Sequence, residues 1–254
     1  MEKGFFSEIV DFFEKEAHSG RTLTLPEKVK SEFFGAVAAA ETAVKQVVPR
    51  TEVSAAAYKQ NANIAVDAEW QKLADAVRNC ASCPLCQKRH NTVFGEGNIN
   101  AELMFIGEGP GADEDAQGRP FVGEAGQLLT KMIAAMGYTR EEVYIANIVK
   151  CRPPGNRNPN DEEAAACIGY LQKQIELVSP KVIVLLGSVP LRYLMHVDGI
   201  TRQRGNWMNF ESIAVMPTFH PAFLLRDPSR KRPVWEDLQQ VMAKLGKPLP
   251  QKKR

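Results

Sequence analysis

What this chain of 254 residues lacks narrows the possibilities first. No apolar run reaches the roughly 18 residues that a membrane-spanning helix needs, so no span is expected. Charge of one sign is in short supply. Thirty-two Lys and Arg against 30 Asp and Glu leave +2, too little to announce a nucleic-acid partner from net charge alone. Cysteine is scarce and odd in number: Cys80, Cys83, Cys86, Cys151 and Cys167. The N-terminus, MEKGFFSEIVDFFEKE, mixes acids with aromatics and offers no small-residue cleavage site. A secreted, disulfide-stapled domain is therefore not expected. A cytoplasmic location is, with the cysteines as metal ligands or plain buried thiols. No internal repeat is present.

What is there suits a folded domain, since 44% of residues are hydrophobic. Residues 1–66 read as a helical and linker extension. Phe5, Ile9, Phe12 and Phe13 recur at helical spacing, and Pro49–Asn63 has the composition of a linker. The Phe-rich face is either a docking segment for a partner protein or an accessory helix packed on the core. Residues 67–246 form the main domain, and 247–254 a basic tail. Trp70, Leu73 and Val77 mark a short amphipathic helix at the start of that domain.

Strand and helix then alternate. Short apolar runs at Leu103–Gly107, Val143–Val149, Lys181–Gly187 and Ile213–Phe219 read as buried strands. Between them, Ala125–Met136 reads as a helix stopped by Gly137, and Asp161–Val178 as a helix with acids at its positive end. A short helix runs through Met195, and Pro233 opens a last helix to Leu245. This order predicts an α/β fold, a three-layer sandwich around a central four-stranded parallel sheet. Ligands of such sheets bind beyond the carboxyl ends of the strands, so those loops need the closest reading.

Four segments follow strands. Gly107-Glu108-Gly109-Pro110-Gly111 is either a tight turn or a loop whose N–H groups approach a ligand. It fits neither standard phosphate-loop pattern, and the acids Asp113, Glu114 and Asp115 after it would repel a phosphate. Just beyond, Gly118-Arg119-Pro120-Phe121-Val122-Gly123 places Phe121 for stacking on a base or for the core. Asn147 ends an apolar strand, where a buried amide either reads a base edge or ties down a neighbouring loop. His220 begins H-P-A-F-L-L-R, in which apolar residues precede Arg226, Arg230, Lys231 and Arg232. Such a pairing suits unstacking a duplex while holding its phosphates. Gly187-Ser188 reads as a plain strand-to-helix turn. Among the cysteines, the C-x2-C pair Cys80–Cys83 lacks a second close pair, which fits an all-cysteine iron–sulfur cluster better than a zinc knuckle.

In order, C-A-S-C-P-L, F-G-E-G-N, G-E-G-P-G-A-D-E-D, G-R-P-F-V-G, Y-I-A-N-I-V-K-C-R-P-P-G-N-R and F-H-P-A-F-L-L-R resemble the family 4 uracil-DNA glycosylases. The resemblance runs from about Cys80 to Leu245. It implies a uracil-DNA glycosylase-like fold, uracil-containing DNA as partner, and a [4Fe–4S] cluster on Cys80, Cys83, Cys151 and Cys167. It further implies a pocket lined by Gly107, Glu108 and Gly109, with Phe121 stacking on uracil and Asn147 reading its edge. His220 would face the oxygen that gains charge, Glu108 and Glu114 would handle water, and Leu224, Leu225 and Arg226 would meet DNA. Ala222, where cluster-free relatives have serine, favours the iron–sulfur branch, whereas Cys86 departs from the family pattern. The expected activity is monofunctional: release of uracil from single- and double-stranded DNA by a monomer, leaving an abasic site. A non-catalytic iron–sulfur module that binds nucleic acid or senses redox state is the alternative.

Overall fold

The computed structural model describes residues 63–249. The Phe-rich segment and nearly all of the proposed linker lie outside the described residues, as does most of the basic tail. Among the described residues, no helix is long and apolar enough to cross a membrane.

Four parallel strands form the centre of the sheet: β2 (Leu103–Gly107), β3 (Tyr144–Asn147), β4 (Val182–Leu186) and β6 (Ile213–Thr218). Every residue of β2, β3 and β4 is buried, as parallel strands covered on both faces require. Two short antiparallel strands, β1 (Glu96–Gly97) and β5 (Met208–Phe210), extend the sheet to six in the order β1-β3-β2-β4-β6-β5. The expected four-stranded sheet is thus the middle of a mixed one. β5 escapes a sequence reading because its turn to β6, Glu211-Ser212, carries no Asn-Gly or Gly-x signal, although Glu211 does take a positive φ of 52°.

Alternation along the strands sorts side chains to two faces. Leu103, Phe105, Ile145, Val182, Val184 and Met216 meet helix α3 (Glu124–Ala135) and helix α8 (Lys231–Lys244) through Leu129, Ile133, Leu238 and Val241. Met104, Ile106, Ala146, Ile183 and Leu185 meet α4 (Asp161–Val178) and α5 (Ser188–Met195) through Leu171, Ile175, Leu191 and Leu194. Helix α1 (Asn63–Arg78) packs outside α4 and places Trp70 edge-on to Tyr144. Each such buried aliphatic side chain contributes about 1.5–3 kcal/mol, so the two faces supply the bulk of the stability.

Local chemistry sets the helix ends. Asn160 caps α4 and Glu163 returns the bond, while Arg157 clamps the Glu163 carboxylate with two contacts. The last helix begins at Lys231, two residues before its expected start, so Pro233 sits inside the first turn, where its missing N–H is harmless. Two short helices replace expected loops. The acidic run forms α2 (Ala112–Gln117), its acids gathered at the positive end. Pro221–Arg226 forms α7, and α6 (Ile200–Gln203) precedes β5.

Candidate active site

The carboxyl ends of β2, β3 and β6 bring together Gly107, Asn147 and His220, with Phe121 from the loop between α2 and α3. Gly107 is required by its neighbours. A Cβ there would stand 2.4 Å from Phe121 Cζ and 2.5 Å from Asn147 Oδ1, so any side chain would expel both groups.

Asn147 is 2% exposed, and its Oδ1 has no hydrogen-bond partner. Leaving a buried carbonyl oxygen unpaired costs about 1–3 kcal/mol, a penalty that a ligand donor would remove.

Phe121 is held in a left-handed backbone conformation, φ 53°, which a non-glycine residue adopts only under restraint. Arg140 supplies part of that restraint, donating to the Pro120 and Phe121 carbonyls at 2.8 and 3.1 Å. Glu96 steadies Arg140 and also binds Arg119. Gly126 makes room for this conformation: a Cβ there would lie 1.9 Å from the Phe121 carbonyl carbon. The Phe121 ring sits 5.6 Å from the His220 ring, tilted by 31°.

His220 caps α7. Its Nδ1 accepts the Ala222 N–H at 3.1 Å, so the neutral ring carries its proton on Nε2 and can donate there. Burial, reinforced by Arg226, pulls the imidazole down to about 4 against the opposing charge of Glu114. The ring is therefore an uncharged donor at neutral pH. Gly187, φ +97°, lets it approach, since a Cβ there would meet the His220 Cβ at 3.1 Å. The expected plain turn at Gly187-Ser188 therefore helps to build the site.

The acids divide by environment. Burial pushes the Glu108 carboxyl up, and no donor offsets it. Glu114 accepts N–H bonds from Gly111, Val122 and Gly123 at 2.8–3.0 Å, stapling the glycine loop to the Phe121 loop. These bonds make Glu114, expected beside Glu108 to handle water, a brace between the two loops. Asp115 is 1% exposed and takes His90 Nδ1 at 2.7 Å together with two backbone N–H groups, tying the cysteine segment to α2. On α7 the two leucines part company. Leu224 is 1% exposed and packs in the core, correcting the expectation that it meets DNA, while Leu225 is 43% exposed beside exposed Arg226.

Away from these residues, all five cysteines line one small cavity, together with Arg89, Lys150 and Tyr170. Arg89 donates to Cys151 Sγ at 3.1 Å and the Lys150 N–H to Cys167 Sγ at 3.3 Å, contacts that favour thiolates. Burial pushes the Cys167 thiol up to about 11, opposed by the nearby Lys150 amine and N–H. Among the described residues, no three His, Cys, Asp or Glu side chains converge closely enough for a single metal ion. The five thiols nonetheless ring one cavity. Cys86 belongs to that ring, which its spacing alone leaves open.

The family model of the uracil DNA glycosylase superfamily matches residues 94–239, from the approach to β1 into the last helix. The chain is 47% identical over 184 residues to the type-4 uracil-DNA glycosylase of Thermotoga maritima, covering 69% of this chain and 94% of that protein. It is 45% identical over 184 residues to the type-4 enzyme of Saccharolobus solfataricus, covering 68% of this chain and 85% of that one. Against the type-4 enzyme of Sulfurisphaera tokodaii it is 45% identical over 181 residues, covering 67% and 82%. The chain belongs to the type-4 uracil-DNA glycosylases.

Proposed function

We infer that the protein excises uracil from DNA as a monofunctional glycosylase, acting on single and double strands and leaving an abasic site. The observation that carries this reading is the buried, unpartnered Asn147 Oδ1 beside Phe121, with the neutral His220 ring 5.6 Å from the Phe121 ring. Uracil supplies the donor that Oδ1 lacks, at N3–H, while the Asn147 amide donates to O4. Cytosine has no N3–H and presents an amine in place of O4, so both bonds fail. A site built to pair such groups rejects the mismatched base by roughly 10⁴–10⁵.

The target nucleotide leaves the stack and its base enters between Phe121 and the strand ends, at a cost of a few kcal/mol that is smallest in single strands or mismatches. Leu225 fills the vacated stack and Arg226 holds phosphate; Leu224 supports them from the core. As the N1–C1′ bond breaks, both electrons leave with uracil, and His220 Nε2–H donates to the oxygen that gains charge. A neutral donor suits this step, since it stabilises the anion without having to give up a proton. Water attacks C1′, and Glu108 takes its proton. Glu114 keeps Gly109 and Phe121 in place through the loops it staples.

A [4Fe–4S] cluster fits the ring of thiols, with Cys80, Cys83, Cys151 and Cys167 as its ligands. When bound, it cross-links three chain segments and supplies no group to the reaction. Residues 67–246 form the catalytic unit, which works as a monomer. The extension before it is a candidate docking segment for a repair or replication protein.

Uracil release from a deoxyuridine-containing strand tests the reading directly, with Asn147→Asp as the diagnostic variant. It is expected to release cytosine, with the preference for uracil cut by up to about 10⁴. A variant that keeps full preference for uracil would remove Asn147 from base reading.

A further inference from the structure

Three residues beyond Asn147, the chain buries a lysine. Lys150 is 1% exposed, and its Nζ donates to the Asn147 carbonyl at 3.0 Å and to Gln174 Oε1 at 2.6 Å. Gln174, fully buried on α4, donates in turn to the Phe94 carbonyl at 2.9 Å and to the Tyr144 hydroxyl at 3.0 Å. Tyr144 opens the strand that Asn147 closes, so the network starts and ends on β3. The backbone of Lys150 is equally committed: its N–H donates to Cys167 Sγ, and its carbonyl accepts the Val93 N–H at 2.8 Å. A long cationic side chain is costly to bury, and an apolar residue of similar length would fill the space without that cost. What the amine adds is a directed bond to one peptide, the peptide of the base reader.

We propose that Lys150 is a positioning residue for base recognition: its side chain fixes the Asn147 peptide, and through it the side-chain oxygen aimed at the base. The inference rests on the reading of Asn147 given above. With its carbonyl held by Lys150, Asn147 can keep its Oδ1 unpaired and in place before the base arrives, which is the preorganisation that discrimination needs.

The test is Lys150→Met in the full-length protein, with iron content and visible absorbance measured on the same sample. Iron and affinity for abasic-site DNA are expected to match wild type. Uracil release at saturating DNA is expected to slow by about 10- to 100-fold, and inhibition by free uracil to weaken by a similar factor. That split separates positioning from general loosening, which would weaken DNA binding as well. If Lys150→Met folds poorly, Lys150→Gln, which leaves the bonds of Gln174 to Phe94 and Tyr144 in place, carries the same test. Wild-type release and uracil inhibition in a folded variant would overturn the proposal, as would an equal loss of affinity for abasic DNA. A wild-type protein that releases no uracil would overturn the reading of the pocket, and this inference with it.

Discussion

The walls of the strand-end pocket arrive on separate loops, and each is held by its own set of contacts. Phe121 is set by Gly126 and Arg140, His220 by the N–H of Ala222, and the glycine loop by Glu114. The thiol cavity is assembled differently. Cys80, Cys83 and Cys86 precede the sheet, Cys151 follows β3 and Cys167 lies on α4, and these segments meet only in the folded chain. Substitutions in the pocket should therefore change chemistry at constant stability, and substitutions in the cavity should change assembly first.

The largest effect expected on the pocket side is from His220→Ala. It should slow uracil release by on the order of 10²–10³, the cost of losing one preorganised donor. Iron content and thermal midpoint should stay close to wild type. Single-turnover release measured beside a melting curve checks both, and a midpoint that falls as steeply as the rate would erase the contrast.

Acid should reach the pocket through the same residue. Because the folded imidazole sits at about 4 against 6.5 for the free side chain, the neutral form is favoured in the folded state. The stability this provides is complete above pH 6.5. It is lost as pH falls toward 4, where the unfolded chain binds a proton that the pocket refuses. The loss should be on the order of 3 kcal/mol over that window. Denaturant midpoints at pH 7 and pH 4.5 test it, with His220→Gln losing less than wild type over the same interval.

On the cavity side, Cys151→Ala should deplete iron and lower the thermal midpoint by roughly 3–10 °C, equivalent to about 1–3 kcal/mol. Uracil release per folded molecule should fall far less than in His220→Ala. An iron-depleted variant with an unchanged midpoint would mean that the cavity does not hold the segments together.

Much of this architecture is legible in the sequence because apolar runs of four or more residues report burial directly. β2, β3, β4 and β6, and the long helices α3, α4 and α8, fall where periodicity and caps place them. The short pieces do not. β1 and β5 span two and three residues, and α2 and α7 six each, too few for a period to emerge. The fate of Leu224 and Leu225 follows from that gap, since only the helix tells which of two adjacent leucines faces inward. Asn147 and His220 stand out in sequence because each is polar at the end of an apolar strand. Glu114, Gly187 and Lys150 do not, because their roles depend on partners such as Gly123, His220 and Gln174 that only folding brings near.

The two short antiparallel strands have a consequence for how this molecule keeps company with its own kind. A parallel sheet that stopped at β3 and β6 would present two straight, hydrogen-bond-hungry margins for another chain to join. β1 and β5 cover those margins with pieces too short to template a further strand. Sheet-to-sheet stacking is thereby discouraged at the high local concentrations that crowding along a nucleic-acid lattice can produce.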